Sequence, residues 1–374
     1  KNYLMLEIVS VFFKLGCIAF GGPAAHIAMM EKEIIEKRKW MSHEDFLDLI
    51  GITNIIPGPN STQMTMQCGY VRGGIIGLIL AGVSFILPAV LITLLFAFIF
   101  IKYGSLPSIE PIFLGIKPAV IGIILMATIK LSKKGFKNKT LIAAGLIVAA
   151  LSIYGINEFI LIIGMAFLGI IIHLFKTKRN NISSVFPGFF LLAKPATIVI
   201  SNSSIFWAFV KIAAILYGSG YVLIAYVDSE LVERLAWLTK QELLDAIAVG
   251  QFTPGPVLTT ATFIGYQLKG LSGALYASLG MFLPSFIFVG ILVRIIPFIK
   301  KSKILSFILG FINAGAVGIM IAVTLKLSYD FIFNWKYCTI MIISIVISYF
   351  FKKISSVWIV IGGAAIGYFL HILF

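Results

Sequence analysis

"NIIPGPNSTQ", residues 54–63, decides how this chain folds: two prolines bracket a glycine and polar residues follow, inside a stretch that is otherwise apolar. Proline lacks an amide donor and its ring clashes with the preceding turn, so Pro57-Gly58-Pro59 cannot be helix interior. The surrounding sequence is that of a membrane protein. Of 374 residues, 60% are hydrophobic and only 12% charged, against roughly 45–50% and 25% in soluble domains. Uncharged runs long enough to cross about 30 Å of hydrocarbon recur, the clearest from Gly74 to Ile101. Irregular backbone at membrane depth is tolerated only where protein or a water-filled cavity satisfies it.

The break occurs twice. "FFKLGCIAFGG" at Phe12 is echoed by "FVKIAAILYGS" at Phe209, and Lys14 and Lys211 lie 197 residues apart. The same offset carries Trp40 to Trp237, Leu47-Asp48 to Leu244-Asp245, and Pro57-Gly58-Pro59 to Pro254-Gly255-Pro256. After a one-residue deletion, Gly69-Tyr70 meets Gly265-Tyr266, Pro88 meets Pro284, and Lys130-Leu131 meets Lys326-Leu327. The chain is thus two copies of one unit: an N-terminal repeat over 1–176, a linker over 177–204 and a C-terminal repeat over 205–374. The expected fold is an all-α polytopic membrane protein with two homologous, inverted-topology repeats. It should have about 10–13 transmembrane segments, with broken or re-entrant PGP helices.

Inversion follows from charge. The 30 Lys and Arg against 15 Asp and Glu give a net +15. The cations sit in short loops, as the positive-inside rule requires, rather than in a nucleic-acid-binding face. Lys130 to Lys139, Lys176 to Arg179, Lys300 to Lys303 and Lys352-Lys353 are expected in the cytoplasm. If each PGP segment enters and leaves on one side, Lys32, Lys37, Arg38, Lys39 and Arg72 join them, while Arg234, Lys240 and Lys269 of copy two fall outside. Glu31, Glu33 and Glu36, matched by Asp228, Glu230 and Glu233, read as a solvated helix face with pairs such as Glu33 with Lys37. Three isolated cysteines and four scattered histidines indicate neither a disulfide framework nor a metal site, and no cofactor is expected. The first apolar stretch reads as a retained helix rather than a cleaved signal. With no nucleophile–base pair and no phosphate loop, an enzyme has little to stand on.

The candidate site residues have an anion chemistry. Lys14 and Lys211 lie inside apolar helices, where a charge is costly unless it works or snorkels. Lys117 is a third such cation, with Asn313 as its repeat partner. After each proline break a helix can restart, at Asn60-Ser61-Thr62 and at Val257-Leu258-Thr259-Thr260. A helix start exposes free N–H groups and the positive end of the dipole. Asn54 and Gln251 precede the two breaks at matched positions. Gly21, Gly22 and Pro23, and Gly218-Ser219-Gly220, end the lysine helices in small residues that permit close backbone approach. His26 titrates in the range of a proton-coupled carrier.

These blocks, "FGGPAAHIAMMEKEIIEKRKW", "IPGPNSTQM", "GYVRGGIIGLILAGVSFILPAVLI", "YGSGYVLIAYV", "LLDAIAVGQFTPGPVLTTATFIGY" and "FLPSF", resemble the chromate transporter family in its long form of two fused homologous domains. The resemblance implies export of chromate, with sulfate as an analogue, across the bacterial plasma membrane, driven by the membrane potential or a proton gradient. It places the family's blocks on Gly21 to Pro23, Pro57 to Thr62, Gly250-Gln251 and Thr253 to Pro256. Gln63 stands where the family often has glutamate. The expected substrate-binding set is therefore Lys14, Gly21, Gly22, Asn54, Pro57, Gly58, Pro59, Asn60, Ser61, Thr62, Lys117, Lys211, Gly218, Gln251, Pro254, Gly255, Pro256, Thr259 and Thr260. The expected partners are a chromate- or sulfate-like oxyanion, the bilayer and a second copy in a homodimer. A sulfate or other small-anion carrier, or a membrane scaffold without transport, are the alternatives.

Overall fold

A computed structural model describes residues 2–19, 23–53, 55–103, 110–177, 199–299, 303–351 and 354–373, and these are helices and turns with no strand among them. Gly21, Gly22, Asn54 and most of the expected linker lie outside the described residues. The first copy comprises α1 (Asn2–Ile18), α2 (Pro23–Glu31), α3 (His43–Thr53), α4 (Asn60–Tyr103), α5 (Glu110–Gly135), α6 (Lys139–Ile153) and α7 (Glu158–Thr177). The second comprises α8 (Asn202–Ile215), α9 (Val222–Val227), α10 (Lys240–Phe252), α11 (Thr260–Ile299), α12 (Lys303–Ile332), α13 (Trp335–Phe350) and α14 (Ser356–Leu373). The repeat extends to fine detail. Helices α2 and α9 both run on into a π-helical stretch, Lys32–Lys37 and Asp228–Arg234. Both stretches end on a residue at φ +51°, Lys39 and Ala236, and the following tryptophans donate backbone N–H bonds to Ile34 and Leu231.

Each long helix after a PGP break is a hairpin. Gly74, at φ +63° and ψ −152°, turns α4 back on itself, and Gly270, at φ +60° and ψ −150°, does the same in α11. The left-handed conformation costs a side chain about 1–2 kcal/mol, which glycine escapes. The arms at 60–72 and 75–103, here α4a and α4b, touch backbone to backbone where Gly69 faces Gly77. The arms of α11, α11a (260–268) and α11b (271–299), touch likewise at Gly265 and Gly273. Gly69→Val is expected to lower stability by about 1–3 kcal/mol through overpacking, seen as a lower Tm of the detergent-solubilised protein.

The PGP segments are re-entrant. Arg72, closing α4a, donates to Glu7 at 3.0 Å and stacks over Trp40, which leads into α3 and itself donates to Glu7 at 3.3 Å. Entry and exit of the segment are therefore on one face. Helix α1 starts at that face and runs parallel to α4b, with Ile8 beside Gly77 and Gly16 against the Phe85 carbonyl, so its end at Ala19 lies at the level of Pro88. Mid-depth is where α1, the PGP loop and α4a meet.

The two copies are inverted. Gly82 of α4b packs on Phe286 of α11b. Further along α4b, Phe100 stacks on Phe263 at 5.3 Å, and Phe263 lies beside the Thr262–Ser278 hydrogen bond that ties the α11 hairpin. Residue numbers rise along α4b as they fall along α11b, so the hairpin turns at Gly74 and Gly270 lie on opposite faces. Matched residues meet at the pseudo-twofold axis, where Thr128 and Thr324 share a 3.0 Å hydrogen bond. By this topology Lys32–Lys39, Arg72, Lys130–Lys139 and the α11–α12 junction share one face, hereafter the basic face.

The copies also exchange helices. Helices α6 and α7 pack on α12, while α13 and α14 pack on α5. Gly145 meets Gly318, and Gly115 meets Gly363, at backbone contact. Small residues let helices approach where lipid supplies no hydrophobic drive to associate. Among the described residues, five helices, within α4, α5, α11, α12 and α14, are long and apolar enough to cross a membrane, with shorter apolar helices in α6, α7, α8 and α13.

Candidate functional site

The PGP loops are held by exchange. Gly58 N–H donates to the Leu216 carbonyl at 2.6 Å, and Gly255 N–H donates to the Ala19 carbonyl at 2.8 Å. Leu216 and Ala19 are themselves matched residues at the ends of α8 and α1. Each loop therefore caps the broken first helix of the other copy by donating to a helix-end carbonyl at membrane depth. Both glycines have positive φ, +124° and +83°. A Cβ at Gly58 would meet the Gln63 amide and the Ser285 hydroxyl; at Gly255 it would meet Ala89. Pro57, Gly58, Pro59, Pro254, Gly255 and Pro256 are buried. They converge where α4b crosses α11b, beside Pro88 and Pro284.

Downstream of the first loop, Gln63 N–H is the first helix donor, reaching the Pro59 carbonyl at 2.9 Å. The N–H groups of Ser61 and Thr62 lie in the first turn, ahead of that donor. Gln63 Nε2 donates to the Pro57 carbonyl at 2.6 Å, a clamp that glutamate could supply only when protonated. The Thr62 hydroxyl is buried without a partner among the described residues. In the second loop the hydroxyls are used internally: Thr259 donates to the Pro256 carbonyl at 3.0 Å and Thr260 to Val257 at 2.8 Å. Gln251 is buried, with its Nε2 unpartnered.

A cavity of about 370 Å³ opens at the start of α4a. Asn60, Gly218, Asn313, Lys134 and Lys137 line it, with Ile56 and Val317 among its apolar walls. Gly218, at φ +96°, faces the Asn313 side chain, and Gly135 faces the Asn313 carbonyl. The α5–α6 turn with its lysines is thereby recessed from the basic face to the level of the PGP loop. Asn60 at the start of α4a, Asn313 and two exposed lysines, Lys134 and Lys137, thus border one space with apolar walls. This donor set suits a small oxyanion.

The pseudo-symmetric cavity, about 280 Å³, has different chemistry. Lys117, Gln241 and Asp330 line it with Phe331 and Tyr337. Lys117 replaces Asn313, and Asp330 replaces Lys134. The Lys117 ammonium is bound by Asp245 at 3.0 Å and Gln241 at 3.1 Å, so its charge is already met.

Lys211 pairs with Glu230 at 3.0 Å and lies 3.9 Å over the Phe159 ring, so it is neutralised rather than offered to a ligand. Lys14 is on the exposed face of α1 beside Phe13 and Ile18, with no hydrogen bond to either PGP loop among the described residues. His26 is buried, its Nε2 3.0 Å from the Ala19 carbonyl and its ring edge-on to Phe85. It helps fasten the α1 end on which Gly255 docks. The acidic matches are only in part the expected solvated face: Glu36 and Glu233 are exposed. Glu33, Asp228 and Glu230 are buried, although Glu33 does pair with Lys37 at 2.8 Å. Lys134, Lys137 and Asn313 were not singled out as ligands from sequence; the only signal was Asn313's alignment with Lys117.

A family model described as chromate transporter matches residues 6–170 and 203–368, one match per copy. A chromate transport protein of Cupriavidus metallidurans is 30% identical over 382 residues, covering 98% of this chain and 93% of that protein. A probable chromate transport protein of Synechococcus elongatus is 31% identical over 330 residues, covering 84% and 82%. An uncharacterized transporter of Methanocaldococcus jannaschii is 28% identical, covering 99% and 95%. No solved structure matches.

Proposed function

The chain belongs to the chromate transporter family, and we propose that it exports chromate, or a similar tetrahedral oxyanion, from the bacterial cytoplasm through the plasma membrane. The observation that carries this reading is the cavity at the start of α4a, where Asn60, Asn313, Lys134 and Lys137 face one space reached from the basic face. The positive-inside rule makes that face cytoplasmic. The lysines raise the local concentration of anions, and the positive end of the α4a dipole at Asn60 favours an oxyanion there without a buried counter-charge. On the far side Lys117 of the matching cavity is already held by Asp245 at 3.0 Å, so the two cavities differ in the charge they offer an anion. Exchange of the two arrangements across the pseudo-twofold axis would carry the ion outward, as inverted repeats allow. A dianion leaving an inside-negative cell gains about 2.3 kcal/mol per charge per 100 mV.

Reconstituted vesicles loaded with chromate test this. Efflux should rise with an imposed potential, positive on the trans side, and fall when sulfate competes. Sulfate flux exceeding chromate flux would favour the sulfate-carrier alternative, and no flux of any tetrahedral anion would leave the scaffold alternative. A homodimer would appear as a doubled mass by light scattering in detergent.

A further inference from the structure

Beyond the oxyanion cavity, the half of the bundle away from the basic face buries acids that the transport path does not explain. Glu158 opens α7 just beneath the exposed α6–α7 turn at Tyr154 and Ile156, yet it is only 1% exposed. Its Oε1 accepts from Ser152 at 3.0 Å, and its Oε2 has no partner among the described residues. Asp228, at the junction of α9 and its π-helical stretch, is 0% exposed, with both oxygens unpartnered. The Tyr226 hydroxyl, on the ring that packs against Phe159, is also buried and unpartnered.

The neighbouring charges are already committed. Lys211 and Arg234 both bind Glu230, and Lys326 binds Glu233 at 2.8 Å. Lys240 acts on Asp228 only through space, as Glu233 and Lys326 act on both acids. Two carboxyl groups thus remain buried with no cation in contact. An ionised carboxylate in that position is costly, and a bound proton relieves the cost. No cluster of three metal-ligating groups is found among the described residues, which leaves the proton as the fitting ligand.

Two rigid elements join these acids to the oxyanion cavity. Gly218 and Val222 line the cavity just before and at the start of α9, and Tyr226 and Asp228 stand at its other end. Asn313 and Val317 line it on α12, and Lys326 stands at the acid end of that helix. We propose that Glu158 and Asp228 form a proton-binding site, loaded from the face opposite the basic cavity, whose occupancy is coupled to oxyanion movement through α9 and α12. The step is simple uptake: a carboxylate oxygen takes a proton from outside, and one negative charge leaves the outer half of the path. This rests on the transport reading.

The test uses the full chain in vesicles with chromate as probe, comparing Glu158→Gln, which keeps an acceptor for Ser152, with Asp228→Asn. Two quantities are read: chromate exchange at equal pH on both sides, and net flux driven by an imposed pH difference. Exchange should stay within about twofold of wild type while pH-driven flux falls about tenfold, the scale of a typical coupling energy. Undiminished pH-driven flux in Glu158→Gln would overturn the proposal. So would loss of exchange together with driven flux in that variant. Absence of chromate exchange in the wild-type protein would instead defeat the transport reading itself.

Discussion

Gly58→Ala is expected to reduce oxyanion flux about a hundredfold while the protein still inserts and remains monodisperse in detergent. The loop has φ +124° at this residue, and a Cβ would press on the Gln63 amide and the Ser285 hydroxyl. Left-handed backbone costs an alanine about 1–2 kcal/mol and overpacking about 1–3 kcal/mol. Together these shift the loop's population away from its bound arrangement by about a hundredfold. The loss is transmitted directly to the site, because Gly58 N–H anchors the loop on Leu216 and Asn60 begins α4a two residues later. Gly255→Ala should behave alike, since its Cβ would meet Ala89 and its N–H holds Ala19. Initial rates of efflux, normalised to inserted protein, are the measurement.

The second large effect is electrostatic. Lys134→Glu combined with Lys137→Glu turns the mouth of the cavity from attractive to repulsive for a dianion. Focusing of anions by a recessed charged cleft is worth about one to three orders of magnitude in encounter rate, so the concentration for half-maximal flux should rise about a hundredfold. The effect should shrink in high salt, as screening between exposed groups requires. Lys134→Arg with Lys137→Arg should keep near-normal transport. Asp330→Asn, at the matched position on the opposite face, should change inward binding little.

Much of this architecture could be read from the chain. The offset between Lys14 and Lys211 gave the repeat, and the cationic loops gave the inversion, because both are one-dimensional signals. The PGP breaks were legible for a physical reason: proline and glycine restrict the backbone whatever surrounds them. The hairpin turn at Gly73-Gly74 was not, since a lone glycine pair inside an apolar run also suits an ordinary span. The exchange of α6 and α7 onto α12 had no sequence signal either. Apolar helices in lipid carry little code for their partners beyond small residues such as Gly145 and Gly318. Of the expected residues, Asn60 and Gly218 line the cavity, while the two PGP triplets are buried against α8, α1, α4b and α11b. Lys211 and Lys117, expected from sequence as substrate-binding cations, pair with Glu230 and Asp245, contacts set by tertiary packing. Lys134 was hidden because a ligand lysine in a cytoplasmic loop looks like any positive-inside lysine. Asp228 and Glu230 were hidden because the charge pattern of a solvated helix says nothing about which helix covers it.

Equilibrium dialysis of chromate against the purified protein tests the central claim most directly, comparing wild type with the Lys134→Glu and Lys137→Glu double variant. Saturable binding in wild type that is lost in the variant, yet retained in Asp330→Asn, is the predicted result. Equal chromate affinity in wild type and the double variant would contradict an oxyanion site at the start of α4a.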